Sequence, residues 1–251
     1  MGKTVVFANQ KGGVGKTTSV VNLGAYLAEA GKRVLLIDND PQSNLSVSVG
    51  ADTKKTGVYE LLTGPTEPIS AVQETTVKGL YIIPANINLT GANIELIDLD
   101  GREYLLKKII QKMEKEFDYI FIDCPPSLGL LTLNGLVAAQ FVIIPLQCEY
   151  LALEGLSLLL RTIKKVQRKL NPSLKIGGIL FTMYDSRTRL AHEVVNEVSK
   201  YFPDKVFRTI IPRNIRLGEA PSHSRPINQY DAECIGAKCY RSLAKEVLEN
   251  V

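Results

Sequence analysis

Nowhere does the sequence run to 18 consecutive apolar residues, so no segment reads as a membrane-spanning helix. From Met1 it passes straight into a strand-like run, without the pattern of a secretory leader. There is no C-x-x-C pair. The four cysteines, Cys124, Cys148, Cys234 and Cys239, are scattered as in a protein with reduced thiols, and the five-residue step between the last two is a poor metal-ligand spacing. These absences argue against a membrane protein and a disulfide scaffold, and the expected location is the cytoplasm. Internal repeats and low-complexity tracts are also missing.

What is present is 251 residues, 45% of them hydrophobic, enough to bury the core of one α/β domain spanning 1–251. The net charge of +4 is unevenly spread. Residues 1–125 hold 13 Lys+Arg against 15 Asp+Glu, and residues 126–251 hold 17 against 11. A basic half is compatible with a nucleic-acid surface, although a solvated face is the more ordinary source of such charge.

Short apolar runs bounded by turn or acidic residues read as buried parallel strands. They are Thr4 to Ala8, Arg33 to Asp38, Tyr119 to Asp123, Phe141 to Pro145 and Lys175 to Thr182, with Leu80 to Pro84 and Val206 to Ile211 as further strands. Helical periodicity marks Thr17 to Ala30, Tyr104 to Glu116, Leu153 to Leu170, Leu190 to Tyr201 and Ala237 to Leu248. Residues 50–75 have little periodic signal and read as an elaborated surface region. Strands alternating with helices predict a doubly wound, mostly parallel sheet with helices on both faces.

Between the first strand and first helix lies Lys11 to Thr18, Lys-Gly-Gly-Val-Gly-Lys-Thr-Thr. In a phosphate-binding loop, backbone N–H groups cradle phosphates, a lysine reaches the outer ones and a hydroxyl binds Mg²⁺. The usual first glycine is replaced by Gln10, and a second lysine, Lys11, stands five residues before Lys16. Strand, loop, lysine, hydroxyl and helix agree on a nucleoside triphosphate site built from Gly12, Gly13, Val14, Gly15, Lys16, Thr17 and Thr18. Lys16 is expected on the β- and γ-phosphates, Thr17 on the metal and Thr18 at the α-phosphate.

Ligands of open α/β sheets bind at the carboxyl ends of strands. Asp123 closes one strand and is expected to hold Mg²⁺. Asp38 and Asp40, in Ile-Asp-Asn-Asp-Pro-Gln, supply one carboxylate near the metal and one to orient the attacking water.

Four segments in order, Lys11 to Thr18, Ile37 to Gln42, Ile122 to Leu128 and Ile211 to Ser224, give the chain a resemblance to ParA/Soj-type partition ATPases of the deviant Walker A class. The resemblance spans nearly the whole chain. It implies an ATP- and Mg²⁺-dependent switch that forms a homodimer on ATP, binds DNA without sequence preference, associates with the nucleoid and is released when a ParB/Spo0J-like partner stimulates hydrolysis. By match of motif, Lys11 reaches the partner's phosphates across the dimer, and Asp40 activates water, so Lys11, Lys16 and Asp40 form the catalytic set. Asp38 joins Thr17 and Asp123 on the metal side.

The resemblance further suggests an adenine pocket from Thr182, Met183, Pro212, Arg213 and Asn214, and DNA contacts from Arg187 and Arg216. Two related classes share the fold. A MinD-like membrane-surface ATPase would end in a basic amphipathic helix, whereas this chain ends Ala-Lys-Glu-Val-Leu-Glu-Asn-Val. An iron–sulfur carrier would need cysteines bridging two subunits. In the ParA/Soj pattern glycine commonly follows Asp-Pro-Gln, where this chain has Ser43, and Asn39 between the two aspartates is a second departure.

Overall fold

The computed structural model describes residues 2–250. Its centre is a seven-stranded sheet of order β3-β4-β2-β5-β1-β6-β7. The strands are β1 (Lys3–Phe7), β2 (Val34–Asp38), β3 (Gln73–Glu74), β4 (Leu80–Ile83), β5 (Tyr119–Asp123), β6 (Phe141–Gln147) and β7 (Lys175–Thr182). All neighbours pair in parallel except the short edge strand β3, which runs antiparallel to β4. The helices are α1 (Lys16–Glu29), α2 (Asn44–Ser48), α3 (Val58–Thr63), α4 (Leu89–Glu95), α5 (Leu105–Gln111), α6 (Leu130–Ala138), α7 (Ala152–Lys169), α8 (Arg189–Tyr201), α9 (Ile215–Glu219), α10 (Ile227–Tyr230) and α11 (Ile235–Asn250).

Period-two alternation sends successive side chains of the central strands to opposite faces. Val6, Leu35, Ile37, Ile120, Ile122, Val142 and Ile144 join the core beneath α3 to α8. Val5, Phe7, Val34, Leu36, Phe121 and Ile143 join the core beneath α1, α2 and α9 to α11. Two covered faces explain why these strands are apolar throughout, and they establish the doubly wound architecture expected from sequence.

Three elements depart from expectation. Residues 206–211 form no strand: isolated bridges, Ile179 with Val206 and Tyr184 with Pro212, and a bond from the Ile211 amide to the Phe181 carbonyl at 2.9 Å tie this stretch to the β7 side. On the side away from β7 the Arg208 amide donates to Glu246 Oε2 at 2.9 Å and Thr209 Oγ1 donates to Oε1 of the same carboxylate, so α11 fastens the stretch from outside the sheet. The helix expected over 104–116 breaks into α5 flanked by 3₁₀ turns at Arg102–Tyr104 and Glu114–Glu116. Helix α6 gave no amphipathic signal because residues around its circumference, Leu131, Thr132, Asn134, Gly135 and Leu136 among them, are buried. A Cβ added at Gly135 would lie 2.8 Å from Cys124 Sγ, so the helix backbone rests directly on the sheet.

Candidate nucleotide site

β1 and β5 are neighbours in the sheet, and the connection from β1 runs one way, to β2, while that from β5 runs the other, to β6, which opens a crevice above their carboxyl ends. The loop 8–15 fills that position and turns into α1. Gly13 and Gly15 adopt φ of 71° and 80°, values that glycine takes without steric cost, and Gly15 is the residue from which α1 starts. The first-turn amides of α1 therefore face the crevice with the positive end of the helix dipole.

A cavity of about 510 Å³ opens here. Gly12, Gly13, Gly15, Lys16, Thr17 and Thr18 line one side and Asp40 another. Lys16 is buried, and its Nζ donates to the Lys11 carbonyl at 3.1 Å, holding the ammonium inside the loop. Desolvation lowers its pKa below the ordinary lysine value, opposed by the charge of Asp123.

Thr17 Oγ1 donates to Asp123 Oδ2 at 2.5 Å. Asp123 is buried, and its Oδ1 has no protein partner among the described residues. A hydroxyl beside a carboxylate with an orphaned oxygen suits a hard, oxygen-seeking divalent cation such as Mg²⁺. Burial, with Asp38 close by on the neighbouring strand, pushes Asp123 up to about 8, while Thr17 and Lys16 pull it down.

Asp38 has a different setting from the one expected. It is fully buried, Oδ2 accepts from both the Ser46 amide at 2.8 Å and Ser46 Oγ at 2.6 Å, and Oδ1 accepts from the Asp40 amide at 3.3 Å. It does not line the cavity, and its hydrogen bonds to Ser46 and to the Asp40 amide anchor the Asp40 loop. Burial raises it to about 6, with the Ser46 hydrogen bonds acting in the opposite sense.

Asp40 does reach the cavity wall, and its Oδ1 is fixed by the Gln42 amide at 3.0 Å. Asn39 turns the other way. Its Nδ2 donates to the Leu131 carbonyl and its amide to the Asp123 carbonyl, so this departure from the family pattern buttresses the strand ends rather than facing the phosphates. Ser43 adopts φ 56°, which explains why glycine suits this position.

Of the expected adenine residues, Met183 lines the cavity and adopts φ 50°. Thr182 lies beneath the loop, its hydroxyl donating to the Val14 carbonyl at 2.9 Å. Pro212, Arg213 and Asn214 are not brought to the cavity wall: Pro212 bridges Tyr184, the Arg213 amide donates to the Tyr184 carbonyl, and Asn214 Oδ1 caps α9 by accepting from the Leu217 amide. The lining instead includes Gln42, Asn44, Val47, Pro126, Pro221 and Ser222, which individual sequence expectations missed. The last two lay within the segment Ile211 to Ser224 that carried the resemblance.

Lys11 points away from the loop interior and pairs with Glu149 just beyond β6. Arg187 and Arg216 are both exposed. Arg187 pairs with Asp185 at 2.7 Å, and Arg216 with Glu219 at 2.9 Å and Asp231 at 3.4 Å.

A family model described as an AAA domain matches residues 2–176. The chain is 60% identical over 248 residues to the chromosome-partitioning ATPase Soj of Treponema pallidum, covering 99% of this chain and 98% of that protein. It is 54% identical to the sporulation initiation inhibitor protein Soj of Bacillus subtilis, with each chain covered completely. Among solved structures, it resembles a Mycobacterium smegmatis protein named cobyrinic acid a,c-diamide synthase, with bound ADP and magnesium, at 45% identity and TM-score 0.86, covering 99% of this chain and 95% of that one.

Proposed function

The chain belongs to the ParA/Soj family of partition ATPases, and on that premise we propose that it is a nucleotide-driven DNA-segregation switch using ATP and Mg²⁺. The observation that carries the reading is the convergence of Lys16, Thr17 and Asp40 on one cavity at the α1 N-terminus, with Asp123 hydrogen-bonded to Thr17 behind its wall. Soj relatives matched along their full length favour partition over the synthase activity named for the Mycobacterium smegmatis protein.

Hydrolysis at such a site is chiefly a matter of positioning and charge neutralisation. The loop amides and Lys16 hold the outer phosphates, and Thr17 with Asp123 holds the metal. When bound there, Mg²⁺ would supply positive charge against the phosphate oxygens. Asp40, clamped by the Asp38 and Gln42 contacts, orients the attacking water.

Lys11 sits on the outside of the loop with its side chain partly exposed, free to exchange Glu149 for the phosphates of a second subunit. ATP then joins two copies face to face. Arg187 and Arg216 serve as phosphate contacts to DNA once they exchange their carboxylate partners, and a ParB-like protein accelerates hydrolysis and release. Such binding is strongly salt-dependent.

The test is DNA retention measured with ADP, ATP and a slowly hydrolysed ATP analogue at two salt concentrations. Retention specific to the triphosphate state and weakened by salt supports the reading; retention indifferent to nucleotide overturns it. An Arg187→Ala, Arg216→Ala double variant is expected to dimerise with ATP yet lose DNA.

A further inference from the structure

Far from the phosphate loop in sequence, the stretch following β4 exposes large aliphatic side chains: Ile87, Ile94, Ile97 and Leu99 are 70%, 76%, 57% and 45% exposed. They are not the overflow of a loose core. Leu89, Ala92 and Leu96, at steps of three and four, turn inward and are buried beneath α4. Helical turns extend beyond α4 at both ends, with Thr90 N donating to the Ile87 carbonyl and Ile97 N to the Ile94 carbonyl. The seven-residue step from Ile87 to Ile94 therefore places both on the face opposite the buried stripe. The segment is amphipathic on its core side and apolar again on its solvent side, the arrangement of a surface that meets a partner.

Its charge says what kind. Residues 86–101 contain Glu95, Asp98 and Asp100 and no lysine or arginine, within a chain of net charge +4. Glu95 is held by the Tyr59 hydroxyl, whereas neither Asp98 nor Asp100 forms an ion pair among the described residues. An acidic rim repels nucleic acid and anionic lipid. A second copy docked face to face would oppose like charges across the contact.

We propose that this face is the docking surface for a basic amphipathic segment of a partner protein, its aliphatic side chains meeting Ile87 and Ile94 and its lysines or arginines meeting Asp98 and Asp100. The surface is also joined to the nucleotide site. The Ala85 amide, at the root of the segment, donates to Ser46 Oγ at 3.0 Å, and that hydroxyl donates to Asp38 Oδ2 at 2.6 Å. Asp38 in turn accepts from the Asp40 amide. A partner that shifts the α4 segment thus pulls on a hydrogen-bonded chain that ends at the backbone amide of Asp40, whose carboxylate orients water in this reading. This deepens the partition reading and rests on it, because it assigns the activating partner a place on the chain.

The test measures binding of a purified ParB-like partner to the full chain with ATP, Mg²⁺ and DNA, together with stimulated hydrolysis. Two exposed pairs of substitutions are compared, Ile87→Ser with Ile94→Ser and Asp98→Lys with Asp100→Lys. Each is expected to weaken partner binding at least about tenfold and to abolish stimulation at a fixed partner concentration, leaving ATP affinity and unstimulated hydrolysis unchanged. Partner binding and stimulation equal to wild type in both variants overturn the docking proposal while leaving the partition reading standing. Wild-type chain that never binds the partner, yet still hydrolyses ATP, overturns the partition reading and this assignment with it. Nucleotide-independent self-association that the serine pair abolishes identifies a second copy as the occupant and overturns the proposal.

Discussion

Lys11 and Glu149, 138 residues apart, form an ion pair that ties the phosphate loop to the segment just beyond β6, with both side chains about two-fifths exposed. The pair keeps the extra lysine of the phosphate loop within its own subunit. Exposed pairs contribute at most about 1 kcal/mol, so Glu149→Gln should change unfolding stability by less than that. It should favour ATP-dependent dimerisation, since Lys11 no longer has to leave a carboxylate. Lys11→Ala should leave ATP binding largely intact and weaken dimerisation or hydrolysis. Sedimentation equilibrium with ATP on both variants reads the two effects, and weaker dimerisation of Glu149→Gln would refute the restraint.

Asp123 owes its position to Thr17 and its orphaned oxygen to a buried strand end. Asp123→Asn removes the charge with little change of volume. Nucleotide affinity measured with Mg²⁺ should fall at least about tenfold, the scale expected when a metal ligand is lost, while affinity measured in EDTA changes much less. Equal losses in both conditions would show that the residue is structural.

Two buried carboxyls make the nucleotide-free chain sensitive to pH. Asp38 at about 6 and Asp123 at about 8 both stand above the ordinary aspartate value of 3.8, so the fold favours their protonated forms. That contribution is complete below the ordinary value and is lost as pH rises through 6 and then 8. Unfolding free energy without metal or nucleotide should therefore fall across this window by no more than about 1.4 kcal/mol per pH unit for each group, and the thermal midpoint with it. Asp123→Asn should flatten the upper part of the fall. A midpoint that rises over the same range would contradict the assignment.

Ser43 carries a left-handed backbone at φ 56°, and its hydroxyl makes only a 3.4 Å contact to the Pro41 carbonyl. The left-handed conformation costs a non-glycine residue roughly 1–2 kcal/mol, offset in part by the entropy that glycine brings to the unfolded chain. Ser43→Gly should stabilise the chain by about 0.5–1 kcal/mol in urea unfolding. A lower midpoint would mean that the serine hydroxyl contributes more than its geometry implies.

The phosphate loop, the strands β1, β2 and β5 to β7, and the aspartates at their carboxyl ends were legible in the sequence. Each is a local pattern: a fixed spacing of glycine, lysine and hydroxyl, or a short apolar run ending in a carboxylate. Family resemblance added expected roles for Lys11 and Asp40, which spacing alone could not supply. Tertiary structure decided what each polar group faces. Asp38 and Asp40 are two residues apart and chemically identical, yet one is buried against Ser46 while the other lines the cavity. Residues 206–211 have a strand's composition, but they touch β7 at isolated points, and Glu246 of α11 holds them from the other side through the Arg208 amide and the Thr209 hydroxyl. Helix α6 escaped notice because a helix covered on all sides loses its polar stripe, and Lys11 found Glu149 only because β6 lies beside β1. Sequence pattern encodes the period of an element and the chemistry of a motif. Partners far apart in the chain are selected by strand order and packing, which no local window contains.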